Sequence, residues 1–308
     1  MLPAKFIQRY RIDKPDRFRL SEFSTSDTAG LNLDKDDIKD LLQKDAERLG
    51  EMQDRLFAED KWSLLIVLQG MDTAGKDGVI EHVMAGVNPQ GCVVHAFKAP
   101  SAEELDHDFL WRSATRLPER GRIGIFNRSH YEEVLVVRVH PDLLARQKLP
   151  PAMTGKDIWK HRFKSIRGFE RHLARNGTIV LKFFLHVSRE EQRERLLARL
   201  DEPAKRWKFN AGDFAERKLW DKYMAAYEDA IRATSRGYAP WYVVPADSKP
   251  FARLVVARAI VDALSRLDLK YPTVGAADLS EMKKIRAALL AEGPPLKVKG
   301  RSSGRTAS

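Results

Sequence analysis

The sequence has few of the features that mark extracellular or membrane proteins. Cys92 is the only cysteine among the 308 residues, so no intramolecular disulfide can form, and its neighbours Val93 and Val94 predict a place in the core. The chain has no apolar run long enough to span a membrane, and residues 1–10 mix charged and apolar side chains instead of forming a secretory leader. We therefore expect a cytoplasmic protein. No internal repeat is visible, and low complexity is confined to residues 294–308.

Acidic residues are in deficit. The chain has 54 Lys and Arg residues against 43 Asp and Glu residues, which gives a net charge of +11 and a pI near 9.6. This balance favours an acidic partner, which can be a nucleic acid, a membrane surface or a polyanionic substrate. The apolar content of 43% and the charged content of 31% are typical of a globular protein with a substantial core.

The most informative motif lies at residues 62–87. Residues 62–69 form an apolar run that is rich in branched side chains and too short for a lone helix, which is typical of a strand buried on both faces. The run leads into Gly-Met-Asp-Thr-Ala-Gly-Lys-Asp at 70–77, after which apolar residues recur at helical spacing. A strand, a glycine-containing loop and a helix in this order predict a phosphate-binding loop (P-loop).

The residue types in this loop suit a phosphate and a metal ion. Gly70 and Gly75 let backbone N–H groups approach an anion at a helix N-terminus, and Lys76 adds a full positive charge. Asp77 stands where most such loops have the Ser or Thr that binds magnesium, and Asp72 is a second carboxylate. Two carboxylates repel a phosphate unless a divalent cation or another cationic group lies between them, so a metal ion is implied, with Mg²⁺ expected and Mn²⁺ as the alternative. In the alternative interpretation, one or both acids are solvated turn residues or helix caps.

Four further strands are predicted, and helical segments separate them. The predicted strands cover residues 92–97, 122–126, 178–187 and 241–245. A later helix with an aromatic stripe is predicted over residues 214–236. Strands that alternate with helices predict an α/β fold with a five-stranded, mainly parallel sheet flanked by helices.

The chain is predicted to have three parts. Residues 1–60 form an irregular arm and an amphipathic helix over 35–58, and residues 61–272 form the α/β domain. Residues 273–308 form a basic, largely disordered tail, with a short helix around 279–290.

A polar segment follows the third predicted strand, at the edge of the sheet where ligands bind in such folds. It reads Asn-Arg-Ser-His-Tyr-Glu-Glu over residues 127–133, which predicts a second set of phosphate and metal contacts. Asn127 occupies the position that usually carries a metal-binding Asp, so Glu132 or Glu133 has to supply the negative charge. His130 also fits the alternative of a buried structural histidine.

A basic segment follows the fourth predicted strand and predicts a helical lid over about 188–213. Arg195 and Arg199 share one helix face, and Arg206, Lys208 and Asp213 come soon after. Arginines on a lid neutralise the charge of a phosphoryl group during transfer. The alternative is a solvated helix face with Glu–Arg pairs.

Together these motifs resemble polyphosphate kinase family 2. The resemblance rests on residues 70–78, 88–89, 126–132 and 206–209 and extends from about residue 10 to residue 272. It implies a P-loop kinase fold and magnesium-dependent transfer of a terminal phosphoryl group from inorganic polyphosphate to AMP or ADP, with guanine nucleotides as alternative acceptors. It also implies a homodimer or homotetramer.

The resemblance implies roles for particular residues. The catalytic residues are then Asp72, Lys76, Arg128 and Glu133, and the metal is bound by Asp72 and Glu133. The expected substrate contacts come from the loop, the polar segment and the lid: Gly70, Gly75, Asp77, Asn127, Glu132, Arg195, Arg199, Arg206, Lys208 and Asp213. Glu132 resembles the residue of the subgroup that phosphorylates both AMP and ADP, so it is the predicted specificity residue.

Two other functions fit parts of the sequence. An ATP-dependent nucleoside monophosphate kinase shares the fold, but it ordinarily has Ser or Thr at position 77 and does not need so basic a surface. A nucleic-acid-binding protein with a vestigial P-loop explains the pI and the basic tail, but no recognised nucleic-acid motif is present. We therefore expect no specific nucleic-acid partner and no membrane partner.

Overall fold

The computed structural model describes residues 6–292, which belong to two compact units. One unit ends at Lys270, and the other begins at Tyr271. Within the second unit, a helix covers Ala276–Ala291, where the sequence predicts a short helix. Residues 293–308 of the predicted basic tail lie outside the described residues.

Five strands form one sheet in the first unit, and every neighbouring pair is parallel. In chain order the strands are β1 (Ser63–Gln69), β2 (Cys92–Ala96), β3 (Ile123–Asn127), β4 (Thr178–His186) and β5 (Trp241–Pro245). Across the sheet their order is β2-β3-β1-β4-β5, so β1 lies in the centre. The predicted α/β fold is confirmed, and the sheet is wholly parallel.

The described residues also contain twelve α-helices and seven short 3₁₀ segments. The α-helices are α1 (Lys35–Glu59), α2 (Lys76–Val83), α3 (Ala102–Asp106), α4 (Trp111–Ala114), α5 (Val136–Val139), α6 (Pro141–Ala145), α7 (Ile158–Arg175), α8 (Arg189–Asp201), α9 (Ala211–Arg217), α10 (Trp220–Thr234), α11 (Lys249–Ser265) and α12 (Ala276–Ala291). The 3₁₀ segments are Phe6–Arg9, Pro15–Arg17, Leu20–Glu22, Pro89–Gly91, His130–Val134, Pro151–Met153 and Pro203–Lys208. None of the described helices is long and apolar enough to cross a membrane.

Helices cover both faces of the sheet. Every residue of β1 is buried. Ile66 of this strand lines a small apolar cavity together with residues of α2 and α11. Ile66 pairs with Leu181 of β4, so these two side chains point to the same face. The next residue of β4, Lys182, therefore points to the opposite face, against which α7 packs. Burial on both faces explains why the strands read as continuous apolar runs.

The N-terminal arm packs against the edge strand β5. Ile7 and Tyr10 are buried, the N–H group of Ile12 donates to the carbonyl of Trp241 at 2.9 Å, and that of Val243 donates to the carbonyl of Tyr10 at 2.8 Å. The described part of the arm contains three short 3₁₀ segments and belongs to the same compact unit as the sheet.

Two local expectations are wrong. Cys92 is only half-buried, and Val93 and Val94 are 41% and 47% exposed, because β2 is an edge strand of the sheet. The single helix predicted over 214–236 is instead two helices, since α9 ends at Arg217 and α10 begins at Trp220.

Candidate active site

The loop between β1 and α2 has the geometry of an anion-binding turn. Gly75 caps α2 with φ of +107°, a backbone conformation that favours glycine. At Gly70 a Cβ atom would lie 3.0 Å from the Leu185 carbonyl, and φ is +158°, so a residue with a side chain would be strained at this point. The Lys76 ammonium donates to the carbonyls of Gly70 and Met71 at 2.8 and 3.2 Å. Burial lowers the pKa of Lys76 to about 8.

The polar segment after β3 lies next to this loop because β1 and β3 are paired. Leu68 is in register with Asn127, and the N–H group of Arg128 donates to the Leu68 carbonyl at 3.0 Å. The Asn127 amide donates to Asp77 at 2.7 Å. Arg128 forms ion pairs with Asp72 and, at 3.2 Å, with Glu132. Residues from two strand ends thus form one cluster.

A cavity of about 510 Å³ lies over the P-loop, and we call it the cationic cavity. Among the described residues that line it, nine are Lys or Arg and three are Asp or Glu. Three of the cations come from parts of the chain that the sequence does not single out: Lys98, Lys249 and Arg253. Such an excess of positive charge within low-dielectric walls attracts and concentrates a polyanion.

A second cavity of about 470 Å³ adjoins the first, and we call it the mixed cavity. Its described lining includes four Asp or Glu residues, four Lys or Arg residues, and apolar and aromatic side chains such as Val137 and Tyr227. Both cavities are lined by Asp72, Phe97, Lys98 and Arg128. A ligand in one cavity therefore lies next to a ligand in the other at the Asp72–Arg128 ion pair.

Comparisons with known proteins agree with this geometry. Residues 32–272 match the sequence profile of the family described as Polyphosphate kinase 2 (PPK2). The chain belongs to the polyphosphate kinase 2 family. It is 48% identical to an ADP-polyphosphate phosphotransferase of Rhodopseudomonas palustris, covering 92% of this chain and 98% of the relative. It is 46% identical to an AMP/ADP-polyphosphate phosphotransferase of Meiothermus ruber, covering 86% of this chain and 96% of the relative.

A solved structure of the family supports the same assignment. The crystal structure of polyphosphate kinase 2 from Arthrobacter aurescens TC1 superposes with a TM-score of 0.83 at 40% sequence identity. The match covers 94% of this chain and 97% of that chain. The P-loop kinase fold of the polyphosphate kinase 2 family is therefore the fold of this protein.

The lid residues have different environments. Arg195 of α8 is buried. Its guanidinium donates at 2.6–3.1 Å to four backbone carbonyls, those of Thr73, Ala74, Ala246 and Asp247, and so stabilises the P-loop. Arg199 pairs with Asp213 of α9 at 2.6 Å. Arg195, Arg199 and Lys208 all line the cationic cavity.

Two residues of the predicted lid, Arg206 and Asp213, are not among the described residues that line the two cavities. Arg206 donates to the carbonyl of Leu200 at 3.0 Å. The pKa of Asp213 is raised by burial and by the nearby Asp72, against the effect of Arg199.

The two acids that the resemblance assigns to a metal differ in their surroundings. Asp72 lies at the boundary of the two cavities. Glu133 lines the mixed cavity, where it accepts from the Gln147 amide at 2.6 Å and pairs with Arg162 at 3.2 Å. Burial raises the pKa of Glu133.

The residues present fit magnesium held jointly by protein and substrate. No three His, Cys, Asp or Glu side chains of the described residues group as a complete metal site. Mg²⁺ is usually bound by one or two carboxylates together with substrate phosphates and water, so a smaller donor set suffices. Asp72 and Asp77 both line the cationic cavity and can supply these carboxylates.

Some members of the site left only weak signals in the sequence. Lys98 comes directly after Phe97 at the end of the second predicted strand, and Lys249 comes shortly after β5, so both lie beyond strand ends. Arg253 follows Lys249 by one helical turn on α11. It packs against Gly78, where a Cβ atom would lie 3.1 Å from the Arg253 guanidinium. His130 is buried and lines neither cavity among the described residues, which favours the structural alternative.

Proposed function

We propose that this chain transfers the terminal phosphoryl group of inorganic polyphosphate to the phosphate of an adenine nucleotide. The observation that carries the proposal is the contact between a strongly cationic cavity and a partly apolar one at Asp72 and Arg128. A phosphate polymer suits the first cavity, and a nucleoside with one or two phosphates suits the second. The two relatives align with this chain over nearly their whole lengths, and their names support the same reaction.

The chemistry needs no covalent intermediate. A phosphate oxygen of the nucleotide attacks the terminal phosphorus of the polymer in line, the new P–O bond forms, and the bond to the shortened polyphosphate breaks. The loop N–H groups, Lys76 and Arg128 hold the transferring group and stabilise its negative charge. Arg128 is suited to this role because its guanidinium lies where the two cavities meet.

Magnesium is part of the proposal. When bound, Mg²⁺ would act as a Lewis acid that neutralises negative charge on the phosphate groups. Asp72 and Asp77 would hold it on the side of the P-loop, and Glu133 remains a predicted ligand on the side of the mixed cavity. The use of AMP in addition to ADP through Glu132, the homo-oligomeric assembly and the cytoplasmic location also stay predictions.

One assay tests the proposal. Purified protein is incubated with Mg²⁺, polyphosphate and AMP, ADP or GDP, with no ATP present, and the products are separated by anion-exchange chromatography. We expect ADP from AMP and ATP from ADP, and loss of both products when EDTA removes the metal.

A loop variant supplies the matched control for this assay. Lys76→Ala should lower turnover by about a thousandfold, as removal of a main charge-stabilising group does, while the protein stays folded. Product formation from ATP and AMP, but never from polyphosphate, would refute the proposal.

A further inference from the structure

A buried ion pair lies behind the polar segment. The Lys182 ammonium donates to Glu170 at 2.6 Å, to the Tyr131 hydroxyl at 3.0 Å and to the Thr234 carbonyl at 3.0 Å, so all three of its donors have partners. The Tyr131 hydroxyl donates to Glu170 at 2.7 Å. Lys182, Glu170 and Tyr131 each have 0% of their surface exposed. We call these three residues the Lys182 triad.

The triad and its partner Thr234 lie on four different elements. Lys182 lies on β4, Glu170 on α7 and Tyr131 in the segment after β3, while Thr234 ends α10. The three triad residues are not among the described residues that line the two cavities. The triad therefore does not touch a ligand in either cavity.

Stability alone does not account for such a pair. Removing two charges from water carries a large desolvation penalty, and replacing a buried pair by apolar side chains of similar volume is often neutral or stabilising. Lys182 also interrupts the apolar run of β4, where an apolar side chain would pack without that penalty. The pair is better explained by the part of the chain that it holds.

That part of the chain is strained. Arg128 has φ of +63°, a conformation that residues with a side chain rarely adopt and keep only when their surroundings impose it. On one side of it, its N–H group is bound to the Leu68 carbonyl of β1. On the other side, Ser129, His130 and Tyr131 are all buried. Ser129 hydrogen-bonds to Gln69 of β1, and Tyr131 hydrogen-bonds to the ion pair of Lys182 and Glu170.

We propose that Lys182 and Glu170 are positioning residues for phosphoryl transfer. Through Tyr131 they fix the backbone around Arg128, so that its guanidinium stays at the boundary between donor and acceptor. This inference rests on the proposed function. It assigns a role in the reaction to two side chains that are remote from the phosphates.

The test removes the pair as a unit, because a single buried charge left unpaired would strongly destabilise the protein. The first variant combines Lys182→Met with Glu170→Leu. The second variant, Tyr131→Phe, keeps both charges and is measured in case the first variant does not fold. With folded protein we expect kcat to fall about tenfold, with KM for polyphosphate changed less than about twofold, because the loss is of an interaction made in the transition state. Amide hydrogen exchange in a peptide covering residues 127–133 should become faster, and that of peptides from α1 should not.

A second buried ion pair gives the matched control. Asp45 of α1 and Arg258 of α11 pair at 2.8 Å, away from both cavities. Replacing them together, Asp45→Leu with Arg258→Met, should leave kcat unchanged.

The outcomes separate this inference from the proposed function. If the unmodified protein forms no product from polyphosphate, the proposed function has failed. If the unmodified protein is active and the triad variants keep full kcat and unchanged exchange at 127–133, or lose activity only as much as the Asp45–Arg258 control, the inference is overturned.

Discussion

Arg128 and Glu132 lie where the two cavities meet, and they are bound to each other. Glu132 pairs with Arg128 at 3.2 Å and lines only the mixed cavity, whereas Arg128 lines both. Glu132 therefore has the position of a residue that can affect the acceptor without touching the polyphosphate. Its ion pair is one of two that hold the Arg128 guanidinium, and the other is the pair with Asp72.

A substitution at this residue tests the specificity prediction. AMP has one phosphate fewer than ADP, so its phosphate depends more on how Arg128 is held at the boundary. We expect Glu132→Asn to lower kcat/KM for AMP about tenfold and that for ADP by about threefold or less, which corresponds to the loss of one partly exposed charged contact. Steady-state rates with each acceptor at fixed polyphosphate check this. An equal loss on both acceptors would refute the role of Glu132 in specificity.

At the scale of elements, helix α8 carries two arginines with different tasks one turn apart. Both residues line the cationic cavity, but the Arg195 guanidinium donates to backbone carbonyls of the P-loop and of the segment after β5, whereas Arg199 pairs with the side chain of Asp213 of α9. The helix thus supports the rigid loop with one residue and presents a cation to the donor with the next. Sequence spacing alone predicts the same role for both.

Two parallel substitutions separate these tasks. Arg195→Met leaves buried carbonyls without their charged donor, so the free energy of unfolding should drop by about 3 kcal/mol. Arg199→Met should leave stability nearly unchanged, since its ion pair is partly exposed, and should raise KM for polyphosphate about tenfold through the lost phosphate contact. Urea denaturation and steady-state kinetics measure the two effects. Equal destabilisation by both substitutions would contradict this division.

At the scale of the whole molecule, the sequence predicted what is local and missed what is distant. The strand, loop and helix around Lys76 were predictable because a buried strand and a glycine turn leave local patterns. Lys249 and Arg253 were not, because only the sheet order brings the start of α11 beside the P-loop. The burial of Arg195 was not predictable either, because the spacing of Arg195 and Arg199 is the same whether an arginine faces a ligand or binds backbone carbonyls. Lys182, alone in an apolar run, was a visible signal that tertiary contacts had to explain.

The central claim is that the P-loop serves a phosphate polymer while the nucleotide occupies the neighbouring cavity. A crystal structure with polyphosphate and AMP bound together tests it most directly. The claim predicts a phosphate chain running over Lys76 toward Lys249 and Arg253, with the AMP nucleoside in the mixed cavity near Tyr227. A nucleotide whose own phosphates lie on the P-loop, with no polymer in the cationic cavity, would contradict the claim.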